Sequence, residues 1–245
     1  MVAPSSVLDS STVLLAGESE WLTQFAATLE SRTNAVVRTA ETTSAAIDII
    51  EDGGIDCLVS AYALPETTGI DLLRAVRAET TTLPVLLGTT TGSEAIASTA
   101  IEAGVTDYIA LADSAEQRTD EILDRTERAV RSAQRSTTQR ERARQFDAVF
   151  NDSRAATWVL DPDGSLARVN QTARELLSED VDTLVGDPFW TLPWWSRPGA
   201  ANADVRRLVE QALDGSFGNA VVQQPLDTDD PRVVDLSVRP VENER

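Results

Sequence analysis

Five short apolar runs, each followed by a helical pattern, constrain the first half of this chain more than any other feature. They are Thr12–Ala16, Val36–Val37, Cys57–Ser60, Pro84–Leu87 and Asp107–Leu111. Runs this brief and this uniformly apolar suit strands covered on both faces, as in a parallel sheet. Between them, Trp21, Leu22, Phe25 and Leu29 fall on one helical face, Ala45, Ile47 and Ile50 on a second, and Leu72, Leu73 and Val76 on a third. Ile96, Ala97, Ala100 and Ile101 make a fourth, and Ser19, Ser44 and Ser93 stand where helix starts are expected. The alternation predicts an α/β domain with a doubly wound five-stranded parallel sheet and right-handed crossovers. Ligands of such sheets lie beyond the carboxyl ends of the strands, which directs attention to Gly17-Glu18, Ala61, Thr89 and Leu111.

Composition excludes much chemistry. Acidic residues number 40 against 21 basic ones, a net charge of −19, and the sequence holds no Lys and no His. The excess carboxylate is spread along the chain, as on the surface of a salt-accumulating halophile's protein, where a Debye length of ~3 Å at 1 M screens self-repulsion. Its sign disfavours nucleic-acid binding. A lone Cys57 leaves no internal disulfide and no Cys-rich metal cluster. Without His there is no Ser–His or Cys–His pair, no His-ligated haem and no phosphohistidine; without Lys there is no Schiff base and no P-loop lysine. No apolar run approaches the ~18 residues of a membrane span, and Met1 leads into no signal sequence, so a cytoplasmic location is expected.

Residues 114–147 favour helix and contain neither Gly nor Pro. Within 125–144, Arg125, Arg128, Arg131, Arg135, Arg140, Arg142 and Arg144 stand against only Glu127 and Glu141, opposing the sign of the rest of the chain. Ile122, Ala129, Ala133, Phe146, Val149 and Phe150 suggest an apolar stripe, which Arg135–Arg140 interrupts. That break argues against a long coiled coil and for a solvated connector that pairs in a dimer. The rival reading is an Arg patch for an acidic partner or nucleic acid, with no base-reading motif beside it. In residues 148–245, Ala156–Leu160 and Ser165–Asn170 flank the turn Asp161-Pro162-Asp163-Gly164, a hairpin pattern, and a helix is expected through Leu177. Asp204–Leu213 reads as a helix presenting Val205, Leu208, Val209 and Ala212, and Gly218–Leu226 and Arg232–Val241 read as strands.

The segments Asp56–Pro65 with Gly69, Leu83–Thr89 and Ala103–Tyr108 make residues 1–113 similar to a response-regulator receiver domain, which implies a flavodoxin-like, CheY-like fold. In that family an acidic pair after the first strand and an Asp after the third chelate Mg²⁺, and the Asp attacks phosphorus. A Thr or Ser after strand four and a Lys after strand five then neutralise the phosphoryl group. The matching positions here are Gly17 and Glu18, Ala61, Thr89 and Leu111, with Tyr108 at the aromatic switch position. A methyl group neither attacks phosphorus nor binds Mg²⁺, so the resemblance implies a pseudo-receiver without metal or Asp phosphorylation. Asp56 stands ~16 Å of extended chain from Ala61 at ~3.3 Å per residue, and alternation turns Ser60 and Tyr62 away, so no neighbour substitutes.

The hairpin, Asn170, Gly186-Asp187-Pro188-Phe189-Trp190 and Trp194-Trp195 resemble the PAS domains of haloarchaeal receiver–PAS sensor kinases and bacterio-opsin-activator-like regulators. The resemblance implies an α+β domain whose antiparallel sheet lacks its last strand after Val241. A partner would complete that edge, or the chain is a truncated or degenerate product. No cofactor is expected, because a flavin adduct needs a Cys and PAS haem a His. Trp158, Asn170, Phe189, Trp190, Trp194 and Trp195 are candidate walls for a small non-covalent ligand, or else fill the core or a dimer face. The expected function is non-catalytic two-component signalling through a histidine kinase, transducer or transcription regulator. The alternatives are a phosphorelay receiver with an unconventional acceptor and a transcriptional regulator acting through the Arg-rich helix.

Overall fold

A computed structural model describes residues 6–111, 115–152, 154–176, 181–196, 202–224 and 232–241. The chain divides into two compact units, residues 1–141 and 142–245. In the first, β1 (Thr12–Ala16), β2 (Val36–Ala40), β3 (Cys57–Ala61), β4 (Val85–Thr89) and β5 (Asp107–Ala110) alternate with α1 (Glu20–Arg32), α2 (Thr43–Glu51), α3 (Gly69–Glu79) and α4 (Glu94–Glu102). The strands pair in parallel in the order β2-β1-β3-β4-β5, the flavodoxin-like arrangement the sequence pattern implies.

Side-chain alternation splits the core into two layers. Val13 and Leu15 of β1, Cys57, Val59 and Ala61 of β3, and Leu86 of β4 pack with Trp21, Leu22, Phe25 and Leu29 of α1. Leu14, Ala16, Leu58 and Val85 point to the opposite face, against Ala46 of α2 and Leu72, Leu73 and Val76 of α3. Both β3 and β4 are buried at every position, which is why their sequences show no polar alternation.

Local starts and stops differ in detail from the sequence expectation. The α2 helix is capped by Thr42, whose hydroxyl accepts from the Ala45 amide, so Ser44 lies inside the helix and is exposed. Ser19 precedes α1 without a side-chain capping bond, whereas Ser93 accepts from the Ile96 amide at the start of α4. Ile101 is 68% exposed, because Ile96 and Ala100 already cover that side of the sheet. Thr68 and Asp71 form a reciprocal capping box at α3, satisfying amides that the helix itself leaves unpaired.

The long helix α5 runs from Ala115 to Asp152. Its first part closes the first unit's core with Ile122, Ala129 and Val130. Positions 134–149 are all exposed, and Phe150 is buried in the second unit.

The second unit contains β6 (Trp158–Leu160), β7 (Leu166–Val169), α6 (Gln171–Leu176), α7 (Pro193–Ser196), α8 (Asn202–Leu213), β8 (Gly218–Gln224) and β9 (Arg232–Val238). Strands β6 and β7 form the expected antiparallel hairpin. Its turn is closed by Gly164 N–H donating to the Asp161 carbonyl, with Gly164 at φ +84°, a conformation that favours glycine. Among the described residues, β8 and β9 form a separate antiparallel pair. Val205, Leu208, Val209 and Ala212 of α8 are all buried, as their spacing predicts. The expected helix start at Ser114, helix end at Leu177, strand end at Leu226 and tail at 242–245 lie outside the described residues.

Candidate functional site

Gly17, Ala61, Thr89 and Leu111 are brought together by the parallel register at the carboxyl edge of the first sheet. Ala61 and Thr89 end β3 and β4, Gly17 follows β1 and Leu111 follows β5. Ala61 pairs with Gly88, and the Leu111 amide donates to the Thr89 carbonyl at 2.9 Å. Glu18 is exposed beside Gly17. Thr89 is buried, and its hydroxyl accepts from the Thr91 amide, a local turn contact.

Apolar side chains close this edge. A β-carbon at Gly17 would stand 3.0 Å from the Ala61 β-carbon, 3.2 Å from Leu64 Cδ2 and 3.4 Å from Leu22 Cδ1, and Gly17 itself has φ +121°. Only glycine meets both demands without strain. On the neighbouring strand the Trp21 ring sits directly on Gly88, where a β-carbon would lie 2.7 Å from Cη2 and 2.9 Å from Cζ2. Gly69 supports the same spot from α3, because a β-carbon there would collide with the Ala61 carbonyl oxygen. Trp21, Leu22 and Ala61 belong to one buried cluster, with Leu111 packed against it. A buried Trp of this kind contributes about 3–5 kcal/mol, judged by the cost of truncating such side chains.

Asp56 is at the other end of β3, where its carboxylate accepts from the Thr12 amide at 2.8 Å. Ser60 donates to the Ala61 carbonyl from the opposite face. Tyr108 packs with Tyr62, Ile96 and Ala100 beside α4. Its phenol is pushed up by burial, the Ser93 backbone N–H pulling the other way and the neighbouring Tyr62 adding to the rise. Arg125 Nη1 donates to both Asp107 carboxylate oxygens at 2.8 and 2.9 Å, while Nε and Nη2 donate to Glu121. Its guanidinium is held charged first by the Asp107 hydrogen bond. Burial pushes the Cys57 thiol far up, so it is an inert core group. Among the described residues no cluster of carboxylates or Cys is arranged to hold a metal ion, and no helix is long and apolar enough to cross a membrane.

In the second unit the six candidate residues separate into distinct roles. Phe189 touches three tryptophans, with ring centroids 5.6 Å from Trp158, 6.5 Å from Trp194 and 5.8 Å from Trp195. Trp158 and Trp194 are 6.2 Å apart. Trp190 lies over the Gly164 turn, with the Arg206 guanidinium 5.5 Å from its ring centre.

Asn170 is not shaped as a pocket wall. It is fully buried, its carbonyl accepts from the Thr157 and Ala173 amides, and its NH₂ donates to the Phe150 and Ala155 carbonyls. One side chain thus ties together the end of α5, the segment before β6 and the start of α6. Nearby, Arg168 pairs with Asp147 and lies 5.0 and 5.4 Å from the ring centres of Phe146 and Phe150.

Sequence reasoning named the aligned edge positions but not the plug over them. Trp21, Leu22 and Leu64 read as ordinary helix or loop residues, and only the glycine at 88, inside an apolar strand, hinted that a large ring needed room.

Comparisons with known proteins agree with this architecture. Residues 14–114 match the response regulator receiver domain family, and residues 150–245 match a PAS fold family. The chain is 39% identical over 72 residues to the chemotaxis protein CheY of Pseudomonas aeruginosa, covering 29% of this chain and 58% of that protein. It is 36% identical over 59 residues to the sensor histidine kinase TmoS of Ectopseudomonas mendocina, covering 24% of this chain and 6% of that one. The chain therefore spans less than two thirds of either relative. Among solved structures, a CheY-like receiver domain protein from Methanospirillum hungatei JF-1 matches with 17% identity and a TM-score of 0.44, over 50% of this chain and 98% of its own. The Vibrio cholerae chemotaxis protein CheY4 matches with 22% identity and a TM-score of 0.42, over 47% and 98%. Residues 14–114 thus match a response-regulator receiver domain and residues 150–245 a PAS fold, domain types of two-component signal transduction.

Proposed function

We propose that this chain is a cytoplasmic signalling protein, similar to haloarchaeal receiver–PAS regulators, whose receiver works without Asp phosphorylation. It is a non-catalytic adaptor. The observation that carries this reading is the closed apolar edge: Ala61, Leu22 and Leu64 gathered around Gly17, with Trp21 seated on Gly88. A phosphoryl group needs an attacking carboxylate, a divalent cation and cationic or hydroxyl donors around its oxygens. Around Gly17 stand the Ala61 methyl, Leu22 and Leu64, Trp21 covers Gly88 on the next strand, and the position after β5 holds Leu111 in place of an ammonium.

Signalling then works by protein contact. A partner or a ligand of the PAS unit shifts a conformational equilibrium only as far as its affinities for the two states differ. The partner class is a histidine kinase, a transducer or a transcription regulator. Pairing of two copies along α5 is supported by Phe146 and Val149, which are 46% and 76% exposed.

The test is phosphotransfer. The purified chain is incubated with Mg²⁺ and labelled acetyl phosphate, then with phosphorylated histidine kinases, beside a receiver known to accept phosphate. No label on this chain and full label on the companion is the expected result. An acid-stable, base-labile acyl phosphate on this chain would sink the proposal.

A further inference from the structure

Helix α5 is anchored near its two ends by different means. Early in the helix, Ile122, Ala129 and Val130 are buried in a core, and Arg125, Arg128 and Arg131 each pair with an acid four residues before them. That order of charges favours a helix. At the far end Phe150 is buried, its carbonyl accepts from the Asn170 side chain, and Phe146 stacks on it with ring centroids 5.3 Å apart. Between these anchors every position from 134 to 145 is exposed, so side-chain burial does not hold that stretch in helical form.

Its own residues hold it poorly. Ser136, Thr137 and Thr138 are consecutive weak helix formers, the threonines because branching at Cβ restricts their rotamers against the preceding turn. The Thr138 hydroxyl donates to the Gln134 carbonyl at 2.9 Å, competing for the acceptor that its own amide uses in a helix. Arg135, Arg140, Arg142 and Arg144 make no ion pair among the described residues, and Arg140 and Arg144 set like charges one turn apart. Isolated helices shorter than ~12–15 residues are marginal in water even when rich in Ala. Packing at each end of α5 supplies its own nucleus, so the middle opens without the penalty of starting a second helix.

We propose that residues 134–145 of α5 are a helix–coil joint, helical in one state and locally open in another, with both anchored ends formed in each. The proposal goes beyond the adaptor reading and does not depend on it. Closed, the helix carries a fixed register from one anchor to the other; open, it carries none. Whatever binds the helical form of this stretch draws the equilibrium towards it, to the extent that it binds the open form less well.

Amide hydrogen exchange on the full chain in about 0.5 M KCl, resolved along α5, tests the joint. Amides 138–145, whose helical acceptors lie at 134–141, should exchange at least about a hundredfold faster than amides 125–133. The latter report, in the same sample, that the first unit is folded. The exposed triple substitution S136A/T137A/T138A should slow exchange at 138–145 about tenfold and leave 125–133 unchanged. Arg140→Glu, which sets an acid four residues before Arg144, should slow it about twofold. Equal protection along the whole of α5 would overturn the joint, as would a triple-alanine variant that exchanges as fast as the parent. Strong protection at 138–145 that disappears on dilution would assign the stretch to pairing of two copies, and would overturn it too.

Discussion

Asn170→Asp should destabilise the PAS unit by about 3 kcal/mol at neutral pH, although it changes no more than an NH₂ into an oxygen. The carboxylate still accepts from the Thr157 and Ala173 amides, each at 2.9 Å. Its other edge now meets the Phe150 and Ala155 carbonyls, to which the amide donated at 3.0 and 2.9 Å. Two buried acceptors lose their partner at about 1–3 kcal/mol each. The loss is capped because the acid can take up a proton and restore one bond, at ~1.4 kcal/mol for each pH unit above its unfolded-state pKa, a cost that stops growing once pH passes the folded-state value. The folded-state pKa is raised relative to the unfolded chain, so the neutral form's stabilisation is present below the ordinary carboxylate range. It fades as pH rises through the folded-state value, and the deficit is therefore reduced near pH 4, where one carbonyl still lacks its partner, and full at pH 7. Asn170→Ala removes all four bonds and shows no such pH dependence. Urea unfolding followed by fluorescence reads the unit directly, since Trp158, Trp190, Trp194 and Trp195 lie within it and Trp21 can be replaced by Phe. With m of about 1–3 kcal/mol/M, the midpoint should fall by roughly 1–3 M. A shift under ~0.5 kcal/mol at pH 7, or one independent of pH, would refute the role assigned to the amide.

Three further outcomes follow from the geometry. Gly88→Ala forces a methyl into the Trp21 ring and should cost the receiver about 1–3 kcal/mol; a G88A/W21L double variant should recover part of it, and strict additivity in that cycle would count against the contact. Raising KCl from 0.1 to 2 M should raise the unfolding free energy, because 40 acidic against 21 basic residues repel one another over a Debye length that shrinks from ~10 Å at 0.1 M to ~3 Å at 1 M; flat or falling stability would contradict this. The Thr68 hydroxyl and then its amide hold the Asp71 carboxyl below the ordinary range. The stabilisation from this cap is therefore present above the unfolded-state pKa and lost as pH falls through the lower folded-state value. Thermal melts of Asp71→Asn against the parent should differ at pH 6 and converge at strongly acid pH; a constant difference across that range would remove the charge from the explanation.

Much of the first unit could be read from periodicity. Apolar runs such as Cys57–Ser60 read as strands because they are too short for helices, and their flavodoxin-like order is what the receiver resemblance implies. Helix starts were less legible: Thr42 and Ser44 are chemically alike, and only the backbone geometry chooses Thr42 as the cap. The edge positions Gly17, Ala61, Thr89 and Leu111 were visible through the family resemblance. Their closure was not, because Leu64 and Trp21 reach the site by tertiary packing that no local spacing encodes. In the second unit the aromatic cluster was foreseeable from composition, whereas the use of Asn170 as a four-bond tie depends on carbonyls 15 and 20 residues away in sequence.

The seating of Trp21 on Gly88 has a consequence for the energy landscape. Receiver-type pockets that gather several carboxylates at one sheet edge are locally frustrated: they hold like charges in proximity for the sake of chemistry. Here Trp21, Leu22 and Ala61 of one buried cluster stand at that edge, with Leu111 packed against them. Unmet donors persist instead in the second unit, where Trp158, Trp194 and Trp195 bury indole N–H groups without a partner among the described residues.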